Sequence, residues 1–210
     1  MRHRFTLRAA STAILMLAAS TAFAAPADLW PCIQPKVATL AVGQMWAGPP
    51  VDGLDWRADK QVSELVPVLA ARRTAIEEAE TLIGQFAGQA GADKKARLSM
   101  LFAGVFDQIN TRRARILTGI ERYAQHQVEL SERIKDESLK VAQAKKTAST
   151  GDDASKAADQ AKAADMEKQL LWDTRIYDAR SQAVTAVCES PVILEQRAFA
   201  IARAIQNVME

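Results

Sequence analysis

The fold is decided by residues 94–148, KKARLSMLFAGVFDQINTRRARILTGIERYAQHQVELSERIKDESLKVAQAKKTA. This stretch contains no proline, and its apolar residues recur at alternating spacings of four and three. A heptad pattern kept over this length predicts one helix, roughly 80 Å long, that packs along a partner helix. Ten of the thirteen positions on the repeat are apolar, and the other three are Arg113, Gln127 and Glu137. The apolar ten are Phe102, Phe106, Ile109, Ile116, Ile120, Tyr123, Leu130, Ile134, Val141 and Ala144.

The partner helix follows directly in the sequence. Residues 149–153, STGDD, predict a turn in which Gly151 adopts the left-handed conformation. A returning helix then runs to about Cys188, and Ser190 with Pro191 predicts the start of a separate last helix. Antiparallel partners are expected to have numbers that sum to about 300. The predicted apolar face of the returning helix contains Ala154, Ala157, Ala161, Ala164, Leu170, Leu171, Ile176, Tyr177, Val184 and Val187.

Two shorter helices precede the long one. Apolar residues at helical spacing predict a helix over 59–72, although Pro67 falls within it. The sequence Thr74-Ala-Ile-Glu77 has the pattern of a capping box and predicts the start of a second helix. Glycines end that helix, and Asp93 is placed to cap the long helix that follows.

The predicted fold is all-α, with a helical bundle body and a long antiparallel two-helix hairpin arm of coiled-coil type. The apolar face of the long helix is wide near Leu98, Leu101 and Val105 and narrows beyond Tyr123, so only one partner helix can cover it there. We therefore expect a helical domain over 55–210, whose arm comprises about residues 124–174. Residues 25–54 are rich in proline and glycine and also apolar, which predicts an irregular strap packed on the helices.

The first 24 residues have the pattern of a cleaved export signal. Arg2, Arg4 and Arg8 precede an apolar stretch over residues 9–22, and Ala22-Phe23-Ala24 fits the small-x-small cleavage rule. The apolar stretch is about 14 residues, whereas a membrane span needs roughly 20, so a retained anchor is the less favoured alternative. The pattern predicts a periplasmic protein that is secreted by the general secretory route.

Removal of this signal changes the charge. Of the 27 Lys and Arg residues three lie in the signal, whereas all 25 acidic residues follow it, so the mature chain has a net charge of about −1. The basic isoelectric point of the whole chain is therefore no indication of a nucleic-acid partner.

The chain has two cysteines, Cys32 and Cys188. An even number of cysteines in an exported protein most simply predicts a disulfide, with two free or intermolecular thiols as the alternative. Their spacing is unlike the C-x-x-C of an oxidoreductase. The bridge would fasten the strap to the helical body.

The sequence predicts no catalytic, cofactor or metal site. His126 is the only histidine after the signal, and it lies in a polar stretch where a solvated side chain is expected. Haem attachment of the c type needs C-x-x-C-H, which is absent, and the Glu-x-x-His pairs of di-iron bundles are also absent. Arg113 lies on the apolar repeat itself, so we expect it to be buried against an acid such as Asp173 or Asp178, with an anion site as the alternative.

These features favour a non-catalytic interaction protein, either a scaffold or an accessory subunit, whose helical arm contacts a protein partner or a second copy. One alternative is a holdase-type chaperone for exported proteins. This chain resembles the tentacled periplasmic chaperones only in its outline of arm and body. The other alternative is a small-ligand-binding protein. In the last case tryptophans of the strap region would wall a pocket. The residues expected at an interaction surface are Trp30, Trp46, Trp56, Tyr123, His126 and Trp172.

Overall fold

The computed structural model describes residues 29–151 and 155–210, and the predicted export signal over 1–24 lies outside them. The predicted all-α class is confirmed, and no strand occurs within the described residues. Short 3₁₀ turns at Val42–Gln44 and Gly91–Asp93 accompany the helices. These are α1 (Lys60–Ala70), α2 (Ile76–Gln89), α3 (Lys94–Thr150) and α4 (Lys156–Met209).

The four helices alternate in direction. Helix α1 lies along the first part of α3 and runs parallel to it. At the start of the two helices Asp59 pairs with Arg97, and at the end of α1 the carbonyl of Ala70 accepts from Arg112, further along α3. Helix α2 returns along the last part of α4. The body is thus an up-down-up-down bundle in which only α3 and α4 continue past the other two helices.

The core lies where the four helices and the strap meet. Its largest fully buried side chains come from α1, α2 and the body portions of α3 and α4, as the widening of the apolar face predicted. The strap contributes further buried residues. The fully buried set includes Leu69, Ile83, Leu98, Leu101, Phe102, Ile109, Leu194, Ile201 and Ile205, and the strap adds Leu40, Met45, Trp46 and Val51.

Helix α4 continues through Pro191, so the predicted start of a separate helix at Ser190 was wrong. A proline inside a helix loses one backbone hydrogen bond and crowds the preceding turn. Here the loss is one bond in a helix of 54 residues, and that helix packs against both α3 and α2. Pro191 is itself buried. Packing therefore outweighs the local preference.

Three predicted local features were also wrong. Gly151 has φ −69° and ψ 165°, so it ends α3 in an extended rather than a left-handed conformation. Helix α2 begins after Ala75 without a side-chain cap, because the hydroxyl of Thr74 donates instead to the carbonyl of Val68, at 2.8 Å. Asp93 likewise makes no side-chain cap to α3.

The pairing of α3 with α4 is shifted by a few residues from the expected register. Arg133 lies against Asp173 and Lys145 against Glu167, so the paired numbers sum to somewhat more than 300. Three alanines that were expected on the buried face, Ala157, Ala161 and Ala164, are consequently exposed, as is Leu171. Ala163 is buried instead, and Ala154 lies outside the described residues.

Two glycines of α3 give a matched test of the packing in the body. A methyl group added at Gly104 would lie 2.5 Å from Val66 Cγ2 and 2.8 Å from Trp56 Cδ2, whereas one added at Gly119 would meet nothing within 4 Å. We expect Gly104→Ala to destabilise the protein by about 1–3 kcal/mol through overpacking. Gly119→Ala should stabilise it by up to about 1 kcal/mol, because alanine is the better helix former. Urea unfolding of both variants measures this, and a stabilised Gly104→Ala would contradict the close approach.

Asp59 should make stability depend on acid pH. Its carboxylate caps α1 by accepting from Val62 N and forms an ion pair with Arg97, at 2.7 Å. The hydrogen bond from Arg97 lowers the pKa of Asp59 below its ordinary value of 3.8. A lowered pKa stabilises the fold above the ordinary value, and this contribution is lost as the pH falls through the folded value. Wild type should therefore lose about 1 kcal/mol more than Asp59→Asn below about pH 4. If the free energy of unfolding falls equally with pH in wild type and in Asp59→Asn, the ion pair of Asp59 does not cause the acid dependence.

Candidate functional site

Two of the tryptophans expected at a surface lie in the core. The ring of Trp46 stacks on Phe102 with their centroids 4.1 Å apart, and its Nε1 donates to the carbonyl of Pro49 at 2.7 Å. The ring of Trp56 packs against Gly104. Both side chains are buried, so they are not part of an exposed surface, contrary to the sequence prediction. The apolar composition of this segment does not indicate whether a given tryptophan packs in the core or lies on the surface.

The other predicted surface residues are at least partly accessible, but they do not form one patch. Tyr123 is half-buried, and its hydroxyl donates to the carbonyl of Arg180. His126 is exposed, with Nδ1 3.0 Å from Glu129 Oε2. Trp172 is 60% exposed on α4, whereas Trp30 lies partly buried in the strap. Tyr123 and His126 lie on neighbouring turns of α3.

The arm is a simple two-helix structure. Within the described residues, the hydrogen bonds and ion pairs that α3 makes with other elements beyond Gln127 reach α4 alone. From Val128 to Thr150 the helical rise gives a projection of roughly 33 Å. Its thin core includes the buried residues Leu130, Val141, Ala148 and Ala163.

A polar cluster interrupts this thin core. Asp173 is 4% exposed, and Arg133 Nε lies 3.2 Å from its Oδ2 and 3.9 Å from Glu137 Oε1. Glu137 Oε2 is buried without a hydrogen-bond partner. Asp173 is buried, whereas the side chain of Arg133 is 59% exposed. A shift of the helices by one turn would separate the buried carboxylate from this partner. The cluster therefore favours the register in which Arg133 lies opposite Asp173.

The arm also exposes large apolar side chains. Leu139 on α3 is 65% exposed. On α4 the two consecutive residues Leu171 and Trp172 are each more than half exposed. These residues point away from the line of contact between the helices, so they make no part of the arm's own core. Leu139 carries no distinguishing signal in the sequence, and the prediction that Leu171 lies on the buried face was wrong. The correct register is what identifies both as outward-facing.

The strap forms the second candidate surface, and the predicted disulfide fastens it there. Cys32 and Cys188 are bonded, with their Cα atoms 5.5 Å apart. Below the disulfide, Leu40 N donates to Asn110 Oδ1 and Gln206 Nε2 donates to Met45 O, each at 3.1 Å. The strap thus follows α3 and α4 from the base of the arm into the body.

A cavity of about 790 Å³ lies between the strap and α4, beside the disulfide. We call it the strap cavity. Its walls are mainly apolar, and most of its residues escaped sequence analysis because the strap brings together segments far apart in the chain. The lining includes Trp30, Pro35, Leu117, Pro191 and Phe199, with Arg113 and Glu195 as its charged members.

Arg113 is buried, as predicted, but its expected partners were wrong. Asp173 pairs with Arg133 in the arm, and Asp178 is exposed. Arg113 instead donates from Nη1 to the carbonyl of Val37 in the strap. Its closest carboxylate oxygen is Glu195 Oε2, 3.9 Å from Nη2. The alternative of an anion site at Arg113 therefore stays open.

No group of three or more potential metal ligands occurs within residues 29–151 and 155–210. None of the helices in those ranges carries an apolar stretch sufficient to span a bilayer. No protein-family model matches the chain, and no curated protein or solved structure matches it either. The fold and its surfaces are therefore the basis for assigning a function.

Proposed function

We propose that this chain is a non-catalytic periplasmic interaction protein, a scaffold or accessory subunit, that contacts a protein partner or a second copy through its arm. The observation that carries the proposal is the exposure of Leu139, Leu171 and Trp172 on a two-helix projection that leaves the bundle. A single exposed leucine is ordinary in a soluble protein. A tryptophan and the leucine next to it in sequence, both more than half exposed midway along a projecting two-helix rod, are better explained as part of a surface that binds another protein.

The arm is suited to this role because its two helices already pair without a partner. The cluster of Arg133, Glu137 and Asp173 favours one register, which gives the outward-facing residues defined relative positions. A rigid surface loses less conformational entropy on association than a flexible one. Tryptophan is also the residue type most enriched among the side chains that dominate binding energy.

The periplasmic location is part of the proposal. It is supported by the export pattern over residues 1–24 and by the Cys32–Cys188 disulfide, since disulfides form and persist in oxidising compartments. Alkaline phosphatase fused after residue 210 should be active in cells if the chain is exported.

Site-specific photo-crosslinking in living cells tests the interaction. A photoreactive amino acid at Trp172 or Leu139 should yield a discrete crosslinked species, whereas the same residue at the exposed Val68 of α1 should not. The double variant Leu171→Ala/Trp172→Ala should reduce crosslinking from Leu139, and Val68→Ala is its matched control. The size of the species, compared with sedimentation of the purified protein, separates a partner from a second copy. Equal, diffuse labelling at all three positions would overturn the proposal.

The holdase alternative draws on the same exposed side chains. A holdase should suppress aggregation of an unfolded outer-membrane protein at near-stoichiometric ratios, and the double variant should lose this effect. It should also give diffuse crosslinks to many clients rather than one discrete species.

A further inference from the structure

We propose that the strap cavity binds a small monocarboxylate with an apolar body, of the class of medium-chain fatty acids, and that Arg113 holds its carboxylate. The proposal concerns a site separate from the arm and does not depend on the proposed function. It rests on the juxtaposition of a buried, incompletely paired guanidinium with a mainly apolar cavity.

The first step is the electrostatic state of Arg113. Its side chain is only 5% exposed, yet the nearest carboxylate oxygen, from Glu195, is 3.9 Å away, and that side chain is 46% exposed. This distance is too long for a hydrogen bond. A buried cation whose one anionic partner is exposed and beyond hydrogen-bond distance is only partly compensated, so an anionic acceptor from outside the chain would lower the free energy of this arrangement.

The second step is the geometry of the unused donors. Nη1 donates to Val37 O, but Nε is buried without a partner, and Nη2 makes no hydrogen bond with a described residue. Nε has almost no accessible surface, so Nη2 is the donor that a ligand in the cavity can reach. A carboxylate accepts a charge-assisted hydrogen bond from Nη2, which is roughly twice as strong as the bond that a neutral hydroxyl or carbonyl accepts.

The third step is the cavity. Its volume of about 790 Å³ falls within the range that small-molecule sites occupy. Trp30 and Pro35 from the strap face Pro191 and Phe199 from α4, so the walls suit a hydrocarbon or aromatic body. An inorganic anion would leave these walls in water. An apolar acid uses both the walls and the cation.

Glu195 supplies the sharpest test, because it competes for the same guanidinium. Its carboxylate partly neutralises Arg113 in the free protein, and a bound carboxylate would lie close to it. Glu195→Gln removes that charge from an exposed position, so this variant should fold normally. We expect it to bind octanoate several-fold more tightly than wild type does.

Isothermal titration calorimetry with octanoate, 1-octanol and octylammonium measures the specificity. Wild type should bind one octanoate saturably and at least tenfold more tightly than the alcohol or the amine, and Arg113→Gln should bind the acid and the alcohol equally. If Arg113→Gln fails to fold, the comparison of ligands on wild type and the gain in Glu195→Gln still decide the matter. Equal affinity of wild type for acid and alcohol, weaker binding by Glu195→Gln, or no saturable binding would each overturn the proposal.

Discussion

Replacing both cysteines, Cys32→Ser with Cys188→Ser, is expected to lower the free energy of unfolding by as much as about 5 kcal/mol. The bond joins residues separated by 156 positions, so it removes a large amount of conformational freedom from the unfolded chain. Urea unfolding of the double variant and of reduced wild type should agree with each other. A loss below about 1 kcal/mol in both would mean that the strap is held without the bond.

Within the folded state, the local loosening should be confined to one end of the strap. Trp46 would still stack on Phe102, so the strap around Trp46 should stay protected from amide hydrogen exchange. Residues 29–37, by contrast, should exchange their amide hydrogens faster. Lys36→Ala is a suitable control, because it removes only the half-exposed ion pair between Lys36 and Glu121. Such a pair contributes less than about 1 kcal/mol, so this variant should resemble wild type.

Phe102→Ala should cost about 3–5 kcal/mol, the usual loss for a buried phenylalanine. Its side chain is 1% exposed and contacts both Trp46 of the strap and Phe106 of the next helical turn. The variant therefore loses core packing, and it also loses the ring on which Trp46 of the strap stacks. Thermal unfolding measures the first effect, and quenching of Trp46 fluorescence by acrylamide measures the second.

Phe199→Ala is the matched control for this prediction. Phe199 is 44% exposed on α4, so its removal should cost less than about 1 kcal/mol and leave Trp46 unquenched. Similar losses for the two variants would show that Phe102 does not hold the strap to the bundle.

The long helix could be predicted from sequence because its signal is redundant. Ile109, Ile120, Leu130 and Val141 all lie on one heptad stripe, and all four are buried. No single residue decides such a pattern, and no proline opposes it. The predicted Lys94 to about Ala148 accordingly differs from the observed α3 by only two residues at its end.

The features that sequence missed depend on contacts between distant segments. Alanine favours a helix equally on either face, so Ala157, Ala161 and Ala164 could not reveal which side was buried. The burial of Asp173 makes sense only with Arg133 opposite it, and a shift of a few residues in the hairpin register hides that pairing. Pro191 was read from a local rule that packing on two neighbouring helices overrides.

The strap cavity was beyond sequence reasoning for the same reason. Arg113 was recognised as an anomalous charge on an apolar stripe, but its neighbours come from the strap and from the far end of α4. The path of the strap, fixed at Cys32 and at Trp46, places Trp30 and Pro35 in the same cavity as Arg113.

The hairpin topology has a consequence for the order of folding. Residues beside the turn, such as Lys145 and Glu167, are close in sequence, whereas those at the base meet only after a loop of the whole hairpin has closed. Closing a short loop costs less entropy than closing a long one, so contacts near the tip can form first and pairing can then propagate toward the base. Cys188 would reach its place beside the strap late in this sequence. Oxidation of the two thiols should therefore follow, rather than guide, the assembly of the rod.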